Sequence, residues 1–302
     1  MANAALQEIY EKYVDNDIPV RLLDITDLGN LKLFERWEVK KHFQPAIYDI
    51  VVSDEDANPN NPDRDEKLLG LVKGIVRYAI FSHRWGDLEP LYTHMVEKMP
   101  DNIRDGPGYD KLQNFCRKAK DMDCTFAWSD TCCIDKRSSA DLDENIRSMF
   151  RFYLNSHICI AYLANSTNPA NLTQDAWFTR GWTLQELVAP SRIKFYMDGW
   201  MEHTPGSHND KIAGSLLLAQ ISQITTIPES DLSHFKPGTD RVSQKMSWAA
   251  ARTTTRIEDM AYSLIGIFDV SLMVAYGEGE RAFFRLMEAI LQRYNKWDVF
   301  AW

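Results

Sequence analysis

The chain has 302 residues, of which 45% are hydrophobic and 25% are charged, and its formal net charge at pH 7 is −9. These values are ordinary for a globular protein and exclude a disordered or fibrous chain. The acidic balance, without a long basic cluster, also argues against nucleic acid as a partner.

The sequence gives no sign of a membrane partner. No apolar run approaches the ~20 residues that a membrane-spanning helix needs, and the N-terminus carries acidic residues where a signal peptide has an apolar stretch. We therefore expect a cytoplasmic protein. Its cysteines lack CxxC spacing and lie in apolar runs, which predicts buried, reduced thiols and no metal site; they are Cys116, Cys124, Cys132, Cys133 and Cys159.

Residues 1–75 have the pattern of an N-terminal extension. A helical start is followed by a strand-like segment at residues 18–25 and then by a polar, acidic loop at residues 53–67. Asn, Asp and Pro are concentrated in that loop, so we expect it to be disordered.

Strands and helices alternate in residues 76–204, which we take as the core domain. Apolar runs predict buried strands, and 3.6-residue periodicity predicts helices between them. This alternation indicates an α/β fold with an open parallel sheet flanked by helices. The predicted strands are 78–82, 125–134, 157–164 and 192–200; the predicted helices are 109–122, 138–156 and 180–190.

Residues 205–302 form a helical C-terminal part in which the strand signal fades. We expect this part to be a lid or a partner-binding layer. The predicted helices are 210–225, 243–254, 256–270 and 279–297.

Polar clusters follow three of the predicted strands, where an open parallel sheet binds its ligands. SHRWGD follows the first strand, SDTCCIDK the second, and RGWTLQE lies on the helix after the third. In the first cluster Ser82, His83, Arg84 and Trp85 suit an anionic, aromatic ligand such as a nucleotide. The simpler alternative is a loop in which Arg84 pairs with Asp87.

The second cluster has two interpretations as well. Asp130 is a candidate substrate-binding residue, although Asp130 and Asp135 also suit helix capping. Cys132 and Cys133 leave a cysteine hydrolase open, although adjacent cysteines in a strand are typical of a core.

Glu186 is the candidate acid of the third cluster. A first-turn carboxylate is favoured by the helix dipole, which gives a purely structural explanation. That explanation leaves out Trp182, one turn earlier on the same helix face. An indole beside a carboxylate suits a ring-stacking site at which positive charge develops, as in glycoside-type cleavage.

Several motifs, in this order, resemble the fungal heterokaryon incompatibility (HET) domain over about residues 77–290. They are YAIFSHRWG, AWSDTCCIDK, AWFTRGWTLQELVAP, KMSWAAARTTTRIEDMAYSLIGIFDV and YGEGERAFFRL. The resemblance implies a role in fungal non-self recognition and programmed cell death, a form of innate immunity.

A more distant resemblance is to TIR domains. AIFSHRWGD is similar to their opening strand and loop, commonly VFLSFRGED, and RGWTLQEL stands where plant TIR domains carry a WCLDEL-like helix. This resemblance implies a TIR-like, flavodoxin-like fold. Thr183 replaces the cysteine of the plant motif, and the C-terminal helices have no TIR counterpart.

In enzymatically active TIR domains the glutamate of that helix is required to cleave the nicotinamide–ribose bond of NAD, and the motif carries this role to Glu186. The resemblance implies that Trp182 supports the pocket and that the SHRWG residues line its nucleotide side. NAD is then a substrate and not a cofactor, and self-association is expected to complete the site. The alternative hypothesis is a non-enzymatic death-signalling module that self-associates through the SHRWG and TCCID loops.

Overall fold

The computed structural model describes residues 2–53, 56 and 58–293. Within them, six strands are formed: β1 Arg21–Asp24, β2 Lys32–Glu35, β3 Tyr78–His83, β4 Phe126–Trp128, β5 Ile158–Leu163 and β6 Ile193–Met197. The helices that precede β5 are α1 Ala2–Asn16, α2 Arg36–Tyr48, α3 Arg64–Ile75, α4 Tyr92–Val96, α5 Asp101–Arg104, α6 Pro107–Asp121 and α7 Ser139–Asn155. The helices that follow it are α8 Thr183–Val188, α9 Leu216–Thr225, α10 Glu229–Ser233, α11 Val242–Ala250, α12 Asp259–Tyr262 and α13 Arg281–Arg293.

The strands form one mixed sheet in the order β2-β1-β4-β3-β5-β6, flanked by helices. β3 pairs parallel with β4, and β5 pairs parallel with β6. β1, by contrast, runs antiparallel to both β2 and β4. The α/β class is confirmed, whereas a purely parallel sheet is wrong, because the N-terminal segment supplies two antiparallel strands at one edge.

The chain divides into two compact units. The first comprises Met1–Ile80, Asp87–Ile134 and Asn155–His157, and the second comprises Phe81–Gly86, Asp135–Leu154 and Ile158–Trp302. β3 thus passes from the first unit into the second.

The first unit corrects two predictions about local structure. The strand predicted at 125–134 ends at Trp128, because a hydrogen bond from Cys133 N to Ser129 O closes a turn. Within the loop predicted at 53–67, helix α3 already begins at Arg64, with two acidic residues in its first turn. Residues 54, 55 and 57 of that loop lie outside the described residues. The prediction of buried thiols is confirmed, since all five cysteines in the chain are buried and free.

In the second unit, the strand predicted at 192–200 ends at Met197 and continues as the turn Asp198–Trp200. Helix α9 begins only at Leu216, because the Ser215 hydroxyl caps it by accepting from Leu218 N. Of the helix predicted at 256–270, α12 is formed, and turns follow it. Residues 294–297 of the last predicted helix lie outside the described residues.

Candidate active site

Strand β3 ends in the first polar cluster and includes both Ser82 and His83. All six residues of this strand are buried. Successive side chains of a strand point to opposite faces, and the ring of His83 stacks on Phe81 with 4.0 Å between the ring centroids. Ser82 therefore points to the sheet face opposite that of His83.

Ser82 and Glu186 meet in a direct hydrogen bond. Ser82 Oγ donates to Glu186 Oε2 at 2.5 Å. Ser82 is fully buried, and the Glu186 residue is only 8% exposed. Two motifs that are 104 residues apart in sequence are thereby joined at the candidate acid.

Trp177 fixes the direction of that hydrogen bond. Its indole Nε1 donates to Ser82 Oγ at 2.8 Å. An indole N–H can only donate, and a serine hydroxyl has a single hydrogen. The hydrogen of Ser82 is consequently available to Glu186, whose carboxylate accepts it.

Helix α8 carries Glu186 in its first turn, and all six of its residues are buried. On the adjacent strand β5, Cys159 Sγ lies 3.9 Å from the Glu186 carbonyl oxygen. Burial raises the pKa of the Cys159 thiol well above its ordinary value, and the charge of Glu186 acts in the same direction. Cys159 is therefore a neutral thiol packed under the helix.

Two buried basic side chains lie at the two ends of α8. Lys211 Nζ donates to Pro190 O, just beyond the last turn, at 2.7 Å, and lies 3.5 Å from the carbonyl oxygen of Val188, the last residue of the helix. Burial lowers the pKa of Lys211 to about 7. At the other end, Arg252 Nη1 donates to Arg180 O at 2.9 Å, just before the first turn.

Trp182 precedes α8 and is half-buried. Its side chain hydrogen-bonds to Asp259, which also accepts a 2.8 Å hydrogen bond from the Tyr276 hydroxyl. Burial raises the pKa of Asp259, whereas these two hydrogen bonds act in the opposite direction. The indole of Trp182 is thus anchored by the C-terminal part of the chain.

The other residues predicted for the site differ in exposure and surroundings. Arg84 and Trp85 are exposed, and Lys136 Nζ stands 3.9 Å from the centre of the Trp85 ring. Asp130 follows β4 and belongs to the first unit. Among the predicted site residues, Ser82 and Glu186 are joined by a direct hydrogen bond.

Several residues of this site were not predicted from the sequence, among them Trp177, Lys211 and Arg252. Trp177 and Arg252 lie inside motifs that resemble the HET domain, and that position is a signal that could have drawn attention to them. Lys211 lies outside those motifs. Its role depends on contacts with main-chain carbonyls, which leave no pattern in the sequence.

No group of three or more His, Cys, Asp or Glu residues suited to a metal ion occurs in the part that the structure describes. None of the helices in that part is long and apolar enough to cross a membrane. A cavity of about 270 Å³ is lined by residues other than Ser82, Trp177 and Glu186, namely Pro169, Ala170, Leu172, Thr173, Gln220, Gln223 and Ile224.

Two comparisons with known proteins show what this chain is similar to. Residues 78–174 match the family model described as heterokaryon incompatibility protein (HET), which confirms the HET resemblance of the sequence. The chain is also 38% identical, over 254 residues, to vegetative incompatibility protein HET-E-1 of Podospora anserina. That alignment covers 78% of this chain but only 17% of the relative. No solved structure matches the chain significantly.

Proposed function

We propose that this chain is an effector domain of fungal non-self recognition and cell death, with a TIR-like, flavodoxin-like core, that cleaves the nicotinamide–ribose bond of NAD. The name of the related vegetative incompatibility protein and the match to the HET model support the biological setting. Support for the reaction comes from the TIR-like motifs and from the surroundings of Glu186.

The observation that carries the proposal is the buried hydrogen bond between Ser82 and Glu186. A first-turn carboxylate that only stabilises its own helix gains little from burial, because removing an ionised carboxylate from water costs several kcal/mol. Glu186 is nevertheless buried and bound by a strand residue. Carboxylates held against such a cost are concentrated at functional sites.

The chemistry fits an ionised acid. As the nicotinamide–ribose bond breaks, the electron pair goes to the pyridinium nitrogen, so nicotinamide leaves as a neutral molecule without an acid catalyst. The ribose becomes oxocarbenium-like, and a nearby carboxylate stabilises that positive charge. Water then adds to the ribose carbon and releases a proton, which gives ADP-ribose.

The side chains around Glu186 take separate roles in this proposal. Ser82 is fully buried, so it orients the carboxylate and does not line the substrate. Trp182, half-buried one turn before Glu186, is the candidate stacking surface. Arg84 and Trp85 are exposed and available to the nucleotide part of NAD, and self-association completes the site.

The experiment is to incubate the purified domain with NAD at low and high protein concentration and to measure nicotinamide release. Glu186→Gln is expected to lower the rate at least about a hundredfold, the effect of losing one preorganised electrostatic contact. Glu288→Gln removes the same charge from an exposed position on α13 and is the matched control. A folded Glu186→Gln protein with the activity of the control rules out the assignment.

One observation favours the alternative of a non-enzymatic, self-associating module. Trp85 is 41% exposed and stacks against Lys136, a combination suited to an interface. Cys132 and Cys133 are fully buried and cannot contribute to it. Under this alternative, Trp85→Ala abolishes concentration-dependent association in sedimentation experiments, and NAD is neither bound nor cleaved.

A further inference from the structure

Helix α8 is too short to maintain its own geometry. It has six residues, and isolated helices of fewer than ~12 residues are marginal in water. The position of Glu186 must therefore be set by groups outside the helix. Lys211 supplies such a group at the C-terminal end, where it bonds to Pro190 O.

Arg252 supplies the contacts at the N-terminal end. Its Nη1 lies 2.9 Å from both Arg180 O and Thr183 Oγ1, and its Nε donates to Trp248 O at 3.2 Å. Thr183 Oγ1 in turn lies 2.5 Å from Trp177 O. Arg252 is thus linked to the start of α8 and to the residue that orients Ser82.

Arg252 interacts electrostatically with Glu186 without a salt bridge. The residue is 5% exposed, and no carboxylate of the described residues forms a salt bridge with it. Burial lowers the pKa of Arg252 to about 10, and the charge of Glu186 opposes that change. Electrostatic coupling is mutual, so the guanidinium stabilises the ionised form of Glu186 to the same extent.

Support for the helix alone does not explain a cation at this position. The N-terminal end of a helix is positive, and a positive side chain there is unfavourable for the helix itself. The same placement adds to the positive potential around a carboxylate in the first turn. The location of Arg252 is therefore electrostatically favourable for an ionised Glu186 carboxylate and unfavourable for helix α8 itself.

We propose that Arg252 is a positioning residue that holds the start of α8 in place and keeps the Glu186 carboxylate ionised. This role rests on the proposed function of Glu186 as the acid that stabilises positive charge. It also gives the C-terminal helical part of the chain a direct share in the site, because Arg252 follows α11.

Other charged or titratable groups lie on the elements around α8. Cys159 is a neutral thiol, and Lys211 lies at the opposite end of the helix. Asp231, on helix α10 packed against α8, is bound by Arg241 through both carboxylate oxygens. Asp175 accepts from Trp177 N. Arg180 is half-buried just before α8, so the experiment also has to control for its charge.

The experiment measures the ionisation of Glu186 directly, without NAD. Glutamate side chains are labelled with ¹³C at the carboxyl carbon, and the Glu186 signal is assigned by its loss in Glu186→Gln. In Arg252→Gln, whose amide can still donate to Arg180 O, the midpoint of the Glu186 titration is expected to rise, because a nearby opposite charge favours the ionised form. Arg252→Lys keeps the charge and is expected to retain most of the wild-type midpoint.

Two controls separate charge from structure. Thr183→Val removes a hydrogen-bond partner of Arg252 but leaves the charge, so the Glu186 midpoint should stay unchanged. Arg180→Gln removes the neighbouring cation and should shift the midpoint less than Arg252→Gln does. If Arg252→Gln does not fold, Arg252→Met and Arg252→Lys are titrated in its place, and loss of folding in all three contradicts the charge role.

An unchanged Glu186 midpoint in folded Arg252→Gln overturns the inference, even when NAD is cleaved. A raised midpoint in a protein without NAD cleavage leaves the inference standing and removes the proposed reaction. If the Glu186 midpoint rises in Arg252→Gln and the protein also cleaves NAD, the acidic limb of the pH–rate profile moves to higher pH by the same amount as the midpoint. A purely structural residue lowers activity without moving that limb.

Discussion

Trp177 and Ser82 form a hydrogen bond of 2.8 Å between two side chains that are almost completely buried. The bond leaves the serine hydrogen for Glu186, so three side chains form one directed chain that ends on a carboxylate oxygen. Such a chain acts as a unit, and removing its central member is expected to affect both ends.

Ser82→Ala should lower nicotinamide release by about tenfold to a hundredfold, because a hydrogen bond to a charged group contributes about 1.5–3 kcal/mol. Trp177→Phe should lower it less, since the indole acts on Glu186 only through Ser82. The double variant should resemble Ser82→Ala alone, and kinetics of the four proteins measure this. Additive losses contradict a linked chain.

Lys211 makes stability depend on pH in a definite direction. Its pKa is lowered by burial from 10.5 to about 7 in the folded protein, so between these values the unfolded chain binds more protons than the folded one. The free energy of unfolding should therefore rise with pH across this window, by up to about 1.4 kcal/mol per pH unit. Lys211→Met should lose that rise in urea titrations from pH 6 to 10, and an unchanged slope contradicts the assignment.

Elements held by local interactions can be predicted from the sequence, whereas contacts between residues far apart in the chain cannot. β3 and α7 were predicted correctly because their patterns are local: an unbroken apolar run for β3, and buried residues such as Ile146 and Phe150 at helical spacing for α7. The antiparallel pairing of β1 with β4 joins Leu23 to Ala127, and no local pattern encodes a contact of that separation. The helix predicted at 256–270 is wrong beyond α12. In that segment the backbone of Gly266 packs so closely on Phe150 that an added Cβ would lie 2.1 Å from Phe150 Cβ, a tertiary contact that no local pattern encodes.

The candidate site shows the same division. Glu186 was found through a motif and its helical position, and its partner Ser82 through the end of a strand. Lys211 and Arg252 donate hydrogen bonds to main-chain carbonyl oxygens. Every residue has such an oxygen, so these contacts leave no pattern in the sequence.

Gly181 gives a test of how α8 is attached to the segment around residue 253. Its N–H donates to Thr253 O at 2.8 Å, and a Cβ at this position would lie 2.4 Å from Thr254 Cγ2. Gly181→Ala should therefore lower the free energy of unfolding by about 1–3 kcal/mol, the usual effect of overpacking.

Thr254→Ser removes the obstructing methyl group and keeps the hydroxyl that donates to Arg256 O. Combined with Gly181→Ala, it should recover most of the lost stability, while Thr254→Ser alone has little effect. Denaturant unfolding of the two single variants and the double variant measures the recovery. A double variant as unstable as Gly181→Ala means that the close approach to Thr254 is not the cause.

Asp259 is expected to set the orientation of the Trp182 indole. In Asp259→Asn the amide oxygen can still accept from the indole N–H, but a neutral acceptor forms a weaker hydrogen bond than a carboxylate does. The indole should therefore shift, which moves its ¹H–¹⁵N resonance, assigned by its loss in Trp182→Phe. If Trp182 stacks on NAD, KM should rise several-fold in Asp259→Asn, because one aromatic contact contributes about 0.5–1.5 kcal/mol.

Tyr276→Phe serves as the control, because it removes the other hydrogen bond to Asp259 and leaves the carboxylate for Trp182. Its effect on the Trp182 resonance and on KM should be smaller than that of Asp259→Asn. In a Trp182→Phe background, Asp259→Asn should change KM no further, because the side chain on which it acts is gone. A further rise in that background shows that Asp259 reaches the substrate by a route other than Trp182, and the C-terminal part would then contribute a binding residue of its own.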